Sequence, residues 1–256
     1  MDGSNDLALG SVSGSPSRAM QAPTNEGSFE LADRDAVEWL RGLPASSVDL
    51  VITDPPYESL EKHRAIGTTT RLKHSKASSN DWFSIFPNRR FPELFAEVYR
   101  VLKRDSHFYL FADQETMFVA KPLAEAAGFK FWKPIVWDKE KIGMGYHYRS
   151  RYELILFFEK GKRKLADLGT ADVIRHPRIS RGYPAEKPVE VSEVFVRQST
   201  AAGATVADPF MGSGSVGVAA LRLGRRFIGT DISPSARELA GQRLSAEVGA
   251  SPTVER

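Results

Sequence analysis

Two acidic residues in this chain stand where an apolar run gives way to proline. In "VDLVITDPPYESLEKHR", residues 48–64, branched apolar residues stop at Asp54, and Pro55, Pro56 and Tyr57 follow. In "VADPFMGSGSVGVAALRLGRRFIGTDIS", residues 206–233, Asp208 precedes Pro209, Phe210 and a glycine-rich turn. An ionised carboxylate only accepts hydrogen bonds. A proline beside it fixes φ, offers a carbonyl and brings no competing N–H. The first corner therefore sets two rigid acceptors next to an aromatic ring.

The second corner has the form of a nucleotide-type site. Gly212 and Gly214 let the backbone approach a ligand at a helix N-terminus. Asp231 follows about twenty residues later, where such folds hold ribose hydroxyls. Dinucleotides, flavins and S-adenosylmethionine share this geometry. "GSGSVG", with Gly217 as its third glycine, formally matches the dinucleotide pattern. Asp208 argues the other way. An acid there can accept from a cationic amine, as an α-amino acid moiety requires, but sits poorly beside a pyrophosphate. The residues favour S-adenosylmethionine.

The elements that position these corners are legible in the periodicity. "FELAD", "VDLVIT", "HFYLFA", "KPIVW", "ELILFFE", "ATVAD" and "RFIGTD" read as strands. "DAVEWLRGL", "FPELFAEVYRVLK", "ETMFVAKPLAEAAG", "KPVEVSEVFVRQST", "VGVAALRLG" and "PSARELAGQRLSAEV" read as helices. Strands alternating with helices predict an α/β fold: a Rossmann-like, doubly wound, mostly parallel sheet. "VDLVIT" is continuously apolar, as a strand covered on both faces should be. Residues 1–27, rich in Ser, Gly, Pro and Asn, read as a disordered arm. Two polar stretches, 58–90 and 161–182, interrupt the alternation, and loops that long inside a domain are usually functional or disordered.

Composition excludes several classes. The 256 residues suit one large domain, and 41% hydrophobic content supplies a sizeable core. There is no cysteine, hence no disulfide framework, thiolate metal site or cysteine nucleophile. The histidines show no metal-ligand spacing, so no metal is expected. The net charge of +3 permits a nucleic-acid partner without demanding one. No signal peptide and no apolar run of membrane-spanning length is visible. The expectation is a cytoplasmic protein with no membrane partner.

Taken in order, the motifs resemble the β-class, circularly permuted amino-methyltransferases of DNA, specific for N6-adenine or N4-cytosine and dependent on S-adenosylmethionine. The resemblance runs from residue 29 to about 245. "RDAVEWLRGLPASSVDLVITDPPY", "EVYRVLK", "WDKEKIGMGYHYRSRYELILFFEKG", "YPAEKPVEVSEVFVRQST" and "DPFMGSG" carry it. Tyr183 and Ala185 stand where the family usually has His and Thr.

The resemblance implies a class I methyltransferase fold, circularly permuted, in a single domain over residues 28–256. Its catalytic half would span 28–160, a short DNA-recognition insertion 161–182, and the cofactor-binding half 183–247. Asp54 and the Pro55 carbonyl would accept the hydrogens of an exocyclic amine, with Pro56 stiffening the corner and Tyr57 stacking on a flipped base. Asp35 would accept from the adenine amine of the cofactor, or simply cap the helix that follows. Phe210 would line the cofactor pocket. Ser213 and Ser215 would meet the methionine end or cap their helix. Lys187 would reach the cofactor carboxylate.

Basic residues after the first corner, Arg64, Arg71, Lys73, Lys76, Arg89 and Arg90, read as phosphate contacts on DNA. So do His147, Arg149 and Arg151 within "GMGYHYRSR". Double-stranded DNA is the expected partner; a homodimer and a cognate restriction endonuclease stay open.

The leading reading is adenine-N6 methylation of DNA. Asp rather than Ser before Pro-Pro favours it over cytosine-N4 methylation. Cytosine-C5 methylation requires a thiolate that this chain lacks. An RNA amine methyltransferase, a nicotinamide oxidoreductase built on "GSGSVG", and a non-catalytic DNA-binding partner are the remaining alternatives.

Overall fold

The computed structural model describes residues 28–59, 84–143, 147–179, 183 and 185–250. The N-terminal arm and Arg64, Arg71, Lys73 and Lys76 lie outside the described residues.

The strands are β1 (Phe29–Ala32), β2 (Val48–Thr53), β3 (Leu102–Ala112), β4 (Lys130–Asp138), β5 (Tyr152–Lys160), β6 (Val173–Arg175), β7 (Thr205–Asp208) and β8 (Arg226–Thr230). The helices are α1 (Ala36–Gly42), α2 (Phe91–Val101), α3 (Gln114–Ala126), α4 (Val189–Ser199), α5 (Ser215–Arg222) and α6 (Pro234–Ala250). The eight strands form one sheet in the order β1-β8-β7-β2-β3-β5-β4-β6. Strands β1, β8, β7, β2 and β3 pair in parallel, β5 runs antiparallel to both its neighbours, and β6 is parallel to β4. One reversed strand in an otherwise parallel sheet is the architecture.

The pleat divides the apolar residues between two cores. Val51, Phe108, Leu110 and Phe158 face α1, α2 and α3. Leu50, Ile52, Tyr109, Ile155 and Phe157 face α4, α5 and α6. Successive side chains of a strand point to opposite faces, so a strand covered on both sides must be apolar at every position. β2 meets that demand: five of its six residues are buried. Helix α2 shows the complementary pattern. Phe91, Leu94, Phe95, Val98 and Val101 are buried on one stripe, and Pro92 stands in the first turn, where its missing N–H is harmless.

Two elements differ from the sequence expectation. β3 begins at Leu102, directly where α2 ends, five residues ahead of "HFYLFA". The polar residues 103–105 conceal that start. β6 lies inside the polar segment 161–182; it is a three-residue edge strand held against β4 and lacks the length to show a period.

The connection from β2 to β3 passes α2 on one face, and that from β7 to β8 passes α5 on the other. The winding reverses between β2 and β7. In open α/β sheets the ligand crevice lies at the carboxyl ends of the strands flanking such a reversal. Asp54 and Asp208 stand at those two ends.

Candidate active site

β2 ends at Thr53, and the chain then turns through Asp54-Pro55-Pro56-Tyr57. The corner is pinned from several directions. The Phe86 N–H donates to the Pro56 carbonyl at 2.8 Å, and Tyr57 forms a parallel bridge with Phe86. The Pro55 carbonyl takes no hydrogen bond among the described residues. The Tyr57 hydroxyl donates to Asp54 Oδ1, and the Lys187 ammonium donates to Asp54 Oδ2. Both carboxylate oxygens are therefore fixed while keeping lone pairs for a substrate. The Tyr57 ring is buried, and burial, with Asp54 beside it, pushes its hydroxyl well above the ordinary tyrosine value. The hydroxyl has a role that the sequence did not assign.

Across the reversal, Asp208 is buried at the end of β7. Thr53 Oγ1 donates to its Oδ1 at 2.7 Å, and the Phe210 N–H donates to the same oxygen at 2.9 Å. Oδ2 carries no hydrogen bond among the described residues. Burial raises the Asp208 carboxyl to about 7, against the bonds from Thr53 and Phe210. The Asp54 corner and Asp208 are thus one side chain apart, joined through Thr53.

The glycine-rich turn follows Asp208 and the buried Pro209. Gly214 caps α5 at φ +77°, in the left-handed region that favours glycine, and a Cβ there would meet Ala240 Cβ at 3.0 Å. Gly212 also has positive φ, and its N–H donates to Asp231 Oδ2 at 3.0 Å. Asp231 Oδ1 accepts from the Ser233 N–H at 2.8 Å. This acid, expected at a ribose, also organises the turn, and burial raises its carboxyl. Ser213 and Ser215 are buried, and Arg243 of α6 donates to the Ser213 carbonyl at 2.8 Å. Phe210 meets Phe86 edge-on at 5.0 Å between ring centroids, which links the glycine-rich turn to the Asp54 corner.

The remaining expected residues divide by the partners they have in the fold. Asp35 accepts from the N–H groups of Val37 and Glu38, as a helix N-cap, and both its oxygens accept from Arg90 at 2.7 Å. Arg90 holds the Asp35 carboxyl below its usual value. Arg90, expected on phosphate, is occupied by this fork and lies over the Phe86 ring. Arg151 is likewise engaged, bidentate to Asp138 at 2.6 and 2.8 Å. Arg89 and Arg149 are exposed with no ion pair among the described residues, and His147 is exposed.

Lys187, expected at the cofactor carboxylate, lies between Asp54 and Glu153, 3.4 Å from Glu153 Oε2. Glu153 is the residue that the sequence reading did not single out. It begins the apolar part of β5, and because β5 runs opposite to β3, its N-terminal end arrives at the carboxyl end of the parallel strands. The only sequence signal was an acid directly ahead of an apolar strand. Ile232, exposed although apolar, follows Asp231 at the same rim.

Comparison with known proteins shows what the chain is similar to. The sequence model of the N6/N4 DNA methylase family matches residues 48–242. A protein of Escherichia coli, YubD, is 30% identical over 215 residues, covering 83% of this chain and 88% of its own. The DNA adenine methyltransferase YhdJ of Escherichia coli is 27% identical over 251 residues, covering 82% and 80%. A Thermus thermophilus structure complexed with S-adenosyl-L-methionine superposes with a TM-score of 0.63 at 23% identity, covering 87% of this chain and 97% of that one.

Proposed function

The chain belongs to the N6/N4 DNA methylase family, and from that premise we propose that it methylates the N6 amine of adenine in double-stranded DNA, using S-adenosylmethionine and a base turned out of the helix. The observation that carries this reading is the meeting of two acids across the sheet's reversal. Asp208 and the Asp54 corner stand at adjacent strand ends, joined through Thr53 at 2.7 Å.

The residues suit the cofactor. Asp208 Oδ2 has no partner among the described residues and can accept from an ammonium group. Gly212 and Gly214, both at positive φ, shape the turn ahead of α5 where the cofactor would lie. Asp231 stands at the ribose position of such folds. When bound, S-adenosylmethionine supplies an electrophilic methyl carbon on a sulfonium and leaves as neutral S-adenosylhomocysteine.

The target amine is a poor nucleophile because its lone pair is delocalised into the ring. Asp54 and the Pro55 carbonyl accept its two hydrogens, which favours a more tetrahedral nitrogen. The nitrogen pair then forms the new N–C bond as the C–S bond breaks. The alkylated amine is acidic and releases one proton to water, so Asp54 serves by position and charge. A base inside a duplex cannot reach this corner, hence the flipped nucleotide. Asp before Pro-Pro, with the DNA adenine methyltransferase YhdJ among the relatives, supports adenine over cytosine.

Expression in methylation-deficient cells, followed by nucleoside mass spectrometry of their DNA, tests the proposal. N6-methyladenine is the expected product. N4-methylcytosine would overturn the choice of base, and unmodified DNA with modified RNA would overturn the choice of substrate.

A further inference from the structure

Beside Asp54 the site holds a line of alternating charges, Lys187, Glu153 and Lys139, that methyl transfer as described does not use. Lys139 Nζ lies 3.3 Å from Glu153 Oε1, and Lys187 Nζ lies 3.4 Å from Glu153 Oε2. Lys187 also donates to Asp54 Oδ2, and Tyr57 to Asp54 Oδ1. The Lys187 side chain is only 14% exposed, and its ammonium is 5.4 Å from the Phe111 ring centroid. A buried lysine between two acids, one of them the corner carboxylate, is poorly placed as a surface cation and already partnered as a ligand for something else.

Resting on the methyltransferase reading above, we propose that Lys187 and Glu153 are positioning residues for the transfer step: Glu153 holds the Lys187 ammonium against Asp54 Oδ2, and this fixes the plane of the carboxylate that receives the target amine.

The physical basis is the freedom each group would have alone. A carboxylate rotates about its Cβ–Cγ bond unless both oxygens are tied. Tyr57 ties one and Lys187 the other. A lysine ammonium on a flexible four-carbon stem does not hold a direction unaided. Glu153 supplies the second anchor, and Lys139 holds Glu153 in turn. Burial alone would pull the Lys187 ammonium below its ordinary value; Asp54 and Glu153 together outweigh burial and hold it above. The donor to Asp54 therefore stays protonated across the working pH range. A misplacement of about 1 Å at a reacting group can cost about 100-fold in rate, so losing either anchor should be felt in the chemical step rather than in binding.

The test uses the full-length protein, S-adenosyl-L-[methyl-³H]methionine and unmethylated DNA of mixed sequence, with single-turnover rates at saturating cofactor and cofactor Kd by calorimetry. Wild-type protein must first transfer label to DNA; failure there overturns the methyltransferase reading and this inference with it, whereas failure in the variants alone touches only the inference or its residues. With wild-type transfer established, Glu153→Gln and Lys187→Met should each lower the single-turnover rate about 10- to 100-fold, with cofactor Kd within about threefold of wild type. Lys187→Arg should recover part of the loss. The Glu153→Gln/Lys187→Met double variant should be no slower than Lys187→Met alone, because the two residues act through one contact. Three results would overturn the inference. One is a Lys187→Met rate restored by more cofactor, which would return Lys187 to the cofactor carboxylate. The others are losses that multiply in the double variant and a wild-type rate in Glu153→Gln. If Lys187→Met fails to fold, Glu153→Gln decides alone by the same rate and Kd.

Discussion

At the scale of the residue, the two acids at the sheet's reversal make different demands. Asp54 is partly exposed and tied at both oxygens, with lone pairs to spare. Asp54→Ala should abolish methyl transfer while cofactor Kd stays within about tenfold, about 1.4 kcal/mol. Retained turnover would remove Asp54 from the chemistry. Asp208 is the opposite case, a carboxyl that burial raises to about 7. The folded protein thus holds a proton on Asp208 where the unfolded chain has lost it. That contribution to stability is present at low pH and fades as pH rises from about 4 towards 7. Binding an ammonium ligand requires the ionised form, so the sign for binding is reversed. Cofactor affinity should rise about tenfold from pH 6 to pH 8, and Asp208→Asn should bind weakly with a flat profile. Calorimetric titrations at the two pH values check this, and a wild-type affinity independent of pH would mean that Asp208 is ionised before the ligand arrives.

Among the elements, α5 shows how tightly the glycine-rich turn is built. The helix has eight residues, and all but the last are buried, between the sheet, α4 and α6. Such an element has no polar face, and from Val216 to Leu221 its sequence is apolar throughout. Gly217 completes a dinucleotide-like pattern in the sequence, yet its structural reason is packing. A Cβ there would stand 2.7 Å from Phe227 and 2.8 Å from Leu244, both fully buried. Gly217→Ala should overpack this contact and destabilise the fold by about 1–3 kcal/mol. A denaturant midpoint equal to that of wild type would show that Phe227 and Leu244 yield without cost. The strands carry the complementary lesson. β2 is evident in the sequence because two covered faces require continuous apolar residues, whereas the direction of β5 is not. An antiparallel and a parallel buried strand have the same composition, and only pairing with β3 and β4 decides between them.

At the scale of the whole molecule, the basic residues divide by what already holds them. Arg90 and Arg151 are forked onto Asp35 and Asp138, while Arg89 and Arg149 are exposed without an ion pair among the described residues. A phosphate contact releases counterions, and each one lost flattens the salt dependence of DNA binding by about one unit of slope. Arg89→Ala/Arg149→Ala should therefore weaken binding at all sequences and flatten the slope by about two units, with cofactor affinity unchanged. Titrations of labelled DNA at several salt concentrations measure it; an unaltered slope would place the phosphate grip elsewhere. The same division separates what was written locally from what was not. Legible in the chain alone were the alternating α/β order, the Asp54 corner, and the Asp208 turn with Asp231 at its distance, because each is a local run or spacing set by backbone geometry. Only the folded chain shows that Thr53 bridges to Asp208, that Arg90 closes on Asp35, and that Glu153 meets the Lys187 ammonium held on Asp54. Those partners lie 55 to 155 residues apart along the chain, or 34 for Glu153 and Lys187 (187 − 153). They meet because strand order and one reversed strand bring them to the carboxyl end of the parallel strands, and no local spacing encodes which residues gather there.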